Sequence, residues 1–352
     1  MAIKKIIKVI LIILAIILVL GIALVTVTYI IFGTQLNAAN SVKKVDEGLY
    51  TMEYEGDYGF DAFLEQGGAS TDAEMGEYIT EFLTHGLIKA DSKEIEKNFG
   101  CSTLSVKNSK GSAMLGRNYD WDKCDAMIVH TKPNNGYESV STCCLDFLGF
   151  DSDWKPEGMQ NKFMSLAAVY VPLDGINEKG LCIADLMAGD DEQTHQDTEK
   201  TDLTVTAAIR LVLDKAATVD EAVALLKKYD MNSSIGKAHH FAITDATGRS
   251  VVVEYVDNEM VTTETYVVTN HYLSKGEKYG IGNEESHNRF ETLTQIRKDA
   301  NGLMTAQELC NSMESVSYNT TQWTIVYDTK TLTADYYWQR QFNKPYRYVL
   351  GK

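Results

Sequence analysis

The chain has 352 residues, of which 44% are hydrophobic and 23% charged, and its formal net charge is -16. This composition is that of an ordinary globular protein and excludes disorder over most of the chain. Nucleic-acid binding is also excluded, because phosphate contacts need clustered Lys and Arg, and the sequence contains no such cluster.

The first predicted element is an apolar helix over residues 9–32, a run of 24 residues without a charge. As a helix it spans roughly 36 Å, against about 30 Å of membrane hydrocarbon. Three lysines precede it, so the positive-inside rule predicts a cytoplasmic tail, 1–8, and export of the remainder. A cleaved signal peptide is the alternative, although the following QLNAAN stretch fits an A-x-A-like cleavage site poorly. We therefore predict a single-pass anchor in the cell membrane.

The next segment, 33–100, is polar and Gly-rich, with one clear predicted helix. Thr71 and Glu74 form a T-x-x-E capping box, and apolar residues then recur at helical spacing up to Gly86. These apolar residues are Met75, Tyr78, Ile79, Phe82 and Leu83. A single amphipathic helix in about 60 residues cannot form its own core, so we expect the segment to pack on the domain that follows.

From Cys101 onward the sequence alternates as strands do. STLSVKN and SAMLGRNYDW flank a four-residue N-S-K-G turn and predict a hairpin. Pairing of Lys107 with Ser112 across this turn would bring Arg117 and Asp120 back beside Cys101, within reach of cross-strand and diagonal neighbours.

The later part of the chain predicts two helices followed by further strands. The helices cover 203–216 and 219–228, and the second is opened by a capping box of Thr218 and Glu221. HHFAITDATGRSVVVEYVDNEMV then predicts strand, turn and strand, and TQWTIVYDTKTLTADYYWQR repeats that design. This order of elements indicates an α+β fold with largely antiparallel sheets.

The cysteines and histidines show neither disulfide nor metal-site spacing. Cys143 and Cys144 are adjacent, no C-x2-C pair exists, and His239 and His240 are neighbours rather than i, i+4 partners. We interpret the cysteines other than Cys101 as core thiols. Those two histidines and His271 are interpreted as structural.

Cys101 can act as a nucleophile if the Gly100–Cys101 bond is cut, because it then becomes the first residue of a new chain. Its own α-amine would lie beside its thiol, and the two groups have closely matched reference pKa values, about 7.7–8.0 and about 8.5. The amine can take the thiol proton and later deliver it to a leaving amine. A papain-type site is not indicated, because the local signature of that family is absent.

CSTL followed by GRNYDW resembles the start of the choloylglycine hydrolase family of linear amide hydrolases, which includes bile salt hydrolases, penicillin V acylases and acid-ceramidase-like amidases. In that family an Arg follows the Cys by sixteen residues and an Asp follows three later, and Cys101, Arg117 and Asp120 reproduce both spacings. The resemblance continues through NEKGLCIADL, VVTNHY, SHNRFETL and TQWTIVYD, and so covers nearly everything from Cys101 onward.

The resemblance implies a role for each matching residue. Cys101 would be the nucleophile, and its freed amine would be the base. Asp120 would hold that amine, and Arg117 would favour the thiolate. Asn270 would donate to the tetrahedral oxyanion, and Arg289 would support the site electrostatically.

The resemblance also implies a fold and a processing step. The fold would be the αββα four-layer sandwich of N-terminal nucleophile hydrolases, with 101–352 as the amidase domain and 33–100 as a pro-segment detached by self-cleavage. The catalytic chain would then stay at the membrane only by packing against the pro-segment helix. One departure is Met187, where bile salt hydrolases carry an Asn that contributes to the oxyanion hole, and this weakens a bile-salt assignment more than an amidase assignment.

The predicted function is hydrolysis of a linear, non-peptide amide through a cysteine thioester. Substrates would be small N-acyl amides such as N-acyl amino acids, conjugated bile acids, phenoxyacyl amides or acyl-homoserine lactones. No metal or organic cofactor is called for, and the sequence leaves a homo-oligomer open. Two alternatives remain: an acyltransferase on the same fold, and a non-catalytic exported binding protein.

Overall fold

The computed structural model describes residues 2–86, 100–148, 154–189, 192–234 and 236–351. The helices are α1 (Ala2–Ser41), α2 (Phe60–Glu65), α3 (Asp72–Thr84), α4 (Gly158–Met164), α5 (Val205–Lys215), α6 (Val219–Leu226), α7 (Glu284–Asp299) and α8 (Ala306–Ser315). The strands are β1 (Lys43–Asp46), β2 (Leu49–Glu55), β3 (Gly100–Lys107), β4 (Ala113–Asp120), β5 (Ala126–Lys132), β6 (Ser139–Cys144), β7 (Asp174–Asn177), β8 (Cys182–Met187), β9 (Thr201–Thr204), β10 (Tyr229–Asn232), β11 (His239–Thr244), β12 (Ser250–Val256), β13 (Glu259–Glu264), β14 (Val267–Val268), β15 (Thr321–Asp328), β16 (Thr333–Trp338) and β17 (Tyr346–Val349).

Helix α1 contains the predicted membrane span. Residues 10–41 are long and apolar enough to cross a membrane, a property that a signal sequence near an N-terminus shares. The large apolar side chains of the span are exposed, whereas Ala38 and Ala39 near the end of the helix are buried where it packs on β2 and α4. The helix therefore runs without interruption from the apolar span into the folded domain.

Two sheets form the centre of the molecule. The larger has nine strands in the order β1-β2-β5-β6-β7-β8-β11-β12-β13, and the smaller has six in the order β14-β3-β4-β15-β16-β17. All neighbours within these sheets are antiparallel except β2 and β5, which are parallel. A separate parallel pair joins β9 to β10.

The sheets stack face to face with helices on both outer sides. Helices α5 and α6 contact the nine-stranded sheet, and α7 and α8 contact the six-stranded sheet. A buried cluster that includes Ile128, Ile176, Trp323 and Ile325 joins the two sheets. The predicted α+β class is confirmed, and the layers run helix, sheet, sheet, helix.

The segment before Cys101 contains the predicted helix and more structure besides. In α3 the Thr71 hydroxyl accepts the Glu74 N–H at 3.1 Å, as predicted, whereas the Glu74 carboxylate accepts from Ser70 N at 2.8 Å rather than from the N-cap nitrogen. Of the five predicted apolar positions, three are buried and the other two pack against the same core.

The expectation of a single packed helix in this segment is wrong in one respect. Strand β2 pairs with β5 along its whole length, from Leu49↔Ala126 to Glu55↔Lys132, and so forms an inner strand of the nine-stranded sheet. Its inward side chains, such as Tyr50, Met52 and Tyr54, are buried in the same core as α5. The segment is thus built into the domain through a strand as well as a helix.

The predicted hairpin of β3 and β4 is present, but its predicted register is wrong by one residue. Lys107 pairs with Ala113 instead of Ser112. The side-chain oxygen of Asn108 accepts the N–H groups of Lys110 and Ser112, which holds a five-residue turn in place of the four-residue one.

The remaining predicted elements are confirmed with small shifts of boundary. Strand β9 takes the first residues of the predicted helix 203–216, and α5 begins at Val205. Helix α6 is capped by Thr218, whose hydroxyl accepts the Glu221 N–H at 3.2 Å. Both predicted strand-turn-strand units form antiparallel pairs, β11 with β12 and β15 with β16.

Candidate active site

Cys101 is the second residue of β3, and its side chain lies on the face that meets the nine-stranded sheet. It stands directly opposite Tyr119 of β4, and because opposite residues of an antiparallel pair share a face, both side chains join the cluster between the sheets. Cys101 is 3% exposed. Arg117, two residues before Tyr119, lies on the same face and within hydrogen-bonding reach of the thiol.

Burial and charge act in opposite directions on this thiol. Burial raises the pKa of Cys101, while the Arg117 guanidinium lowers it; Asp120 adds a smaller repulsion, and the net shift is upward. In the intact chain the thiol is therefore held largely protonated.

Arg117 is held by a set of buried acceptors. Its Nε lies 2.7 Å from the Asp174 carboxylate, with both side chains fully buried. Its terminal nitrogens donate to the carbonyl oxygens of Asn118 at 2.6 Å and Asp185 at 2.8 Å. Although burial disfavours the charge, the thiol and the Asp174 carboxylate raise the pKa of Arg117 above its ordinary value, so the guanidinium is a permanent positive charge against the sulfur.

The backbone of Cys101 is held by residues from distant parts of the chain. Its N–H donates to Asn270 Oδ1 at 2.6 Å, and its carbonyl oxygen accepts from Arg289 Nη1 at 2.5 Å. Arg289 Nη2 also donates to Asn270 Oδ1 at 2.8 Å, and Asn270 Nδ2 donates to the carbonyl oxygen of Met187 at 2.9 Å. The nitrogen and carbonyl of Cys101 are thus fixed on both sides.

Asp120 lies on the other face of β4, opposite Gly100. Its Oδ1 accepts from the Thr321 hydroxyl, and its Oδ2 lies 3.8 Å from Arg289 Nη1. Among the described residues this Oδ2 has no hydrogen-bond partner, although it is buried. A Cβ atom placed on Gly100 would lie 3.4 Å from it. Burial raises the pKa of Asp120 to about 6, against the lowering effects of Thr321 and Arg289.

All five residues singled out in the sequence therefore meet at the start of β3. The strand faces divide them into two groups. Arg117 accompanies the thiol between the sheets, while Asp120, Asn270 and Arg289 surround the peptide that joins Gly100 to Cys101. Arg117 can therefore act on the sulfur of Cys101, while the other three residues act on its nitrogen.

The three histidines interpreted as structural, His239, His240 and His271, bond to residues other than these five. The imidazole of His239 pairs with the Asp185 carboxylate at 2.8 Å; burial lowers its pKa, but Asp185 outweighs this and the net shift is upward. His240 pairs with buried Glu254 at 3.0 Å. Burial lowers the pKa of His271 to about 4. His239 connects to the site through Asp185, whose carbonyl oxygen accepts from Arg117, and His271 directly follows Asn270.

Sequence reasoning missed three residues that hold the site. Asp174 pairs with Arg117, Thr321 bonds Asp120, and the ring of Tyr318 lies 5.1 Å from the Arg289 guanidinium. Thr321 opens the quoted TQWTIVYD stretch, but its contact with Asp120 spans 201 positions along the chain. The sequence signal for Asp174 was an Asp directly after the apolar stretch VPL.

The surroundings of these residues can be compared with metal-binding groups and surface cavities in the described parts of the chain. Among the described parts of the chain, no group of three or more His, Cys, Asp or Glu side chains could hold a metal ion. Two surface cavities, of about 530 Å³ beside Tyr266 and Arg297 and about 840 Å³ beside Thr263 and Tyr279, are not lined by Cys101.

Comparisons with known proteins show similarity to linear amide hydrolases. A family model described as linear amide C-N hydrolases, choloylglycine hydrolase family, matches residues 101–273. Penicillin V acylase from Pectobacterium atrosepticum is 34% identical over 99 residues, which cover 25% of this chain and 26% of that relative. The match thus spans about a quarter of the length of this curated relative.

Solved structures show the same fold. A cysteine-to-alanine variant of conjugated bile acid hydrolase from Clostridium perfringens aligns with a TM-score of 0.53 at 17% identity, covering 71% of this chain and 92% of that one. Penicillin V acylase from Agrobacterium tumefaciens aligns with a TM-score of 0.50 at 19% identity, covering 72% and 87%.

Proposed function

Because residues 101–273 belong to the choloylglycine hydrolase family of linear amide C-N hydrolases, we propose that this chain hydrolyses a linear, non-peptide amide. The nucleophile is Cys101, and it becomes competent once the Gly100–Cys101 bond has been cleaved by the chain itself. The products of turnover are an amine and a carboxylic acid.

One observation carries the proposal: among the described residues the buried Asp120 Oδ2 has no hydrogen-bond partner, and it lies beside Gly100, at the peptide whose cleavage would free the nitrogen of Cys101. A buried carboxylate oxygen without a partner is costly. An ammonium or amine formed at this nitrogen would supply the missing partner. The carboxylate is therefore prepared for the cleaved chain rather than for the intact one.

Self-cleavage follows from the same groups. The sulfur of Cys101 attacks the carbonyl carbon of Gly100, the C–N bond breaks, and the freed nitrogen takes the thiol proton. The resulting thioester between Gly100 and Cys101 is hydrolysed by water, which leaves a carboxylate on Gly100 and a free thiol. Arg117 stabilises negative charge on the sulfur, and Asp120 stabilises positive charge on the nitrogen.

Turnover repeats these steps on an external amide. The α-amine of Cys101 takes the thiol proton, the sulfur attacks the substrate carbonyl, and the amine returns that proton to the leaving nitrogen. Water then hydrolyses the acyl thioester. Asn270 would exchange its present bond to Met187 for a bond to the oxyanion. The burial of Cys101 in the intact chain supports an inactive precursor.

The N-terminal helix supports a location at the membrane for the proposed amide hydrolysis. Helix α1 would cross the cell membrane once and hold the amidase domain outside the cytoplasm, and residues 33–100 would act as the pro-segment. Because α1 continues without interruption into the folded domain, the helix would keep the site close to the bilayer surface. Small N-acyl amides of the kinds hydrolysed by the penicillin V acylase and conjugated bile acid hydrolase relatives are the substrate class to test first.

The experiment compares the full-length chain with Cys101→Ala on a panel of N-acyl amino acids, phenoxyacyl amides and bile acid conjugates. The substitution removes the nucleophile, so turnover should fall on the order of 10⁶-fold. Release of free amine is measured by mass spectrometry, with a second amine present to detect acyl transfer.

The matched control is Cys310→Ala. Cys310 lies in α8 and is buried against the outer face of the six-stranded sheet, away from the site, so its loss should leave turnover within about twofold of the parent. Equal activity of the Cys101 variant and the parent on every hydrolysed amide would refute the proposal.

A further inference from the structure

Thr321 is the first residue of β15 and stands directly opposite Asp120 in the six-stranded sheet. The register of β15 on β4 shifts between Thr321 and Trp323, which is a β-bulge beside the site. Bulges redirect side chains next to active sites. Here the Thr321 hydroxyl donates to Asp120 Oδ1.

The Thr321 hydroxyl takes part in a second hydrogen bond. Thr321 Oγ1 accepts the N–H of Tyr318 at 2.8 Å, and Thr321 N donates to the carbonyl oxygen of Tyr318 at 3.1 Å. A hydroxyl has a single proton. With its oxygen receiving the backbone N–H, that proton is directed to the Asp120 carboxylate, and Thr321 is only 2% exposed.

The same turn also supports the groups around Gly100. The Tyr318 ring lies against the Arg289 guanidinium, and a Cβ atom on Gly100 would lie 3.5 Å from both Tyr318 Cε2 and Arg289 Nη2. One carboxylate oxygen of Asp120 accepts the hydrogen bond from Thr321. The other is left facing the peptide of Gly100.

We propose that Thr321 is a positioning residue, which holds Asp120 ionised and keeps its Oδ2 directed at the nitrogen that cleavage frees on Cys101. This inference rests on the proposed function and adds a residue to it. Thr321 acts only through Asp120 and does not touch the reacting atoms.

The charges facing Asp120 come from several elements. Arg289 approaches from α7, Arg117 from β4 itself, and Arg340 from the turn after β16. Against the dominant effect of burial, the Thr321 hydrogen bond is the largest influence that lowers the pKa of Asp120, and these arginines follow. Loss of the hydroxyl should raise the pKa of Asp120 further above 6.

The test is the pH dependence of Gly100–Cys101 cleavage in the full-length chain. The chain is isolated at low pH, transferred to a series of higher pH values, and followed by gel and intact mass. The rate should rise as Asp120 ionises, because the carboxylate stabilises the nitrogen as it becomes an ammonium. In Thr321→Val the pH at which the cleavage rate rises should move up by about one unit. Thr321→Ser keeps the hydroxyl and should return this pH to the wild-type value.

Thr324→Val is the matched control. Thr324 is equally buried in β15 and donates to Asn118 Oδ1 at 2.6 Å, away from Asp120. Its loss tests general damage to the strand, and the pH position of cleavage should stay at the wild-type value. If the Thr321→Val profile coincides with that of Thr324→Val while the parent cleaves itself and hydrolyses amides, only the positioning role is wrong. A parent that neither cleaves nor hydrolyses amides overturns both.

Discussion

At the scale of single residues, the site places a buried positive charge against a thiol. The Arg117–Asp174 pair is fully buried, and such pairs are costly to break because the surviving charge loses its partner. Arg117→Met should lower the free energy of unfolding by about 3–5 kcal/mol. Denaturant titration of the full-length chain in detergent measures this change.

The matched control for that substitution is an exposed arginine. Arg249 pairs with Asp220 and with Glu264, both of which are largely exposed, so Arg249→Met should change the free energy of unfolding by less than about 1 kcal/mol. Similar losses for the two variants would show that burial of the Arg117 pair does not set its contribution.

Asp120 carries a second prediction at this scale. Its folded pKa is about 6, against an ordinary value of 3.8. A carboxyl whose pKa is raised on folding costs stability as pH rises from about 4 through 6, and a shift of about two units corresponds to about 3 kcal/mol. In the uncut Cys101→Ala chain, where no freed amine reaches Asp120, Asp120→Asn should therefore raise the free energy of unfolding above pH 6 by up to about 3 kcal/mol, and by little at pH 4. Thermal unfolding at the two pH values measures this gain.

Asp328 supplies a control of opposite sign. Burial raises its pKa, but hydrogen bonds from Ser112 and from backbone N–H groups outweigh burial, and the net pKa is lowered. Its contribution to stability is therefore present above the ordinary carboxyl pKa and lost in acid. Asp328→Asn should destabilise the chain at neutral pH. A loss of stability for Asp120→Asn at pH 8 in the uncut chain would contradict the stability cost assigned to the buried Asp120 carboxylate.

At the scale of elements, the β3–β4 hairpin shows how much local sequence determined. Alternation and the turn residues predicted both strands and brought Cys101, Arg117 and Asp120 together. Successive side chains of a strand alternate between its two faces, so the one-residue error in register changes which β4 side chains share a face with Cys101. That error could not be seen locally, since it depends on hydrogen bonds from Asn108 that lengthen the turn.

The pairing of strand β2 could not be predicted from the local sequence. Its pairing partner, β5, lies beyond the whole of α2, α3 and β3–β4 in the chain, and no short-range pattern reveals a parallel partner at that distance. The contacts of Thr321 and Asp174 with the site were hidden for the same reason. Elements were predictable from their own residues, whereas contacts between distant elements were not.

Strand β2 and its neighbours predict that the N-terminal fragment stays bound after cleavage. The Tyr58 hydroxyl donates to Asp214 Oδ2 at 2.6 Å, and Asp214 pairs with buried Arg210 at 2.9 Å. Removing the fragment would leave this pair short of a partner and expose the edge of β5. An affinity tag on the N-terminus should therefore capture the catalytic chain in equal amount after cleavage in mild detergent.

Tyr58→Phe sharpens this test. It removes one buried hydrogen bond and should lower the temperature at which the two fragments separate, whereas Tyr279→Phe, at a tyrosine that is 66% exposed, should not. Recovery of the catalytic chain in the unbound fraction of the parent, before any heating, would contradict the predicted association.

At the scale of the whole molecule, the fold class and one long apolar helix at the N-terminus followed from the sequence pattern, whereas the order of layers came from the family resemblance. The acidic net charge of -16 gives no attraction to anionic lipid, so contact with a membrane would depend on α1 alone. A bound fragment that carries α1 would keep the cleaved catalytic chain at the membrane without a covalent link.

The proposed function depends on the chemical state of Cys101 in active protein. The most direct measurement is the intact mass of the chains in a preparation that hydrolyses an N-acyl amide. We predict two chains, of which the larger begins at Cys101, bears a free α-amine and gains one adduct on the Cys101 thiol from an amide-mimicking electrophile. A single uncut chain of 352 residues that hydrolyses the amide at full rate would contradict it.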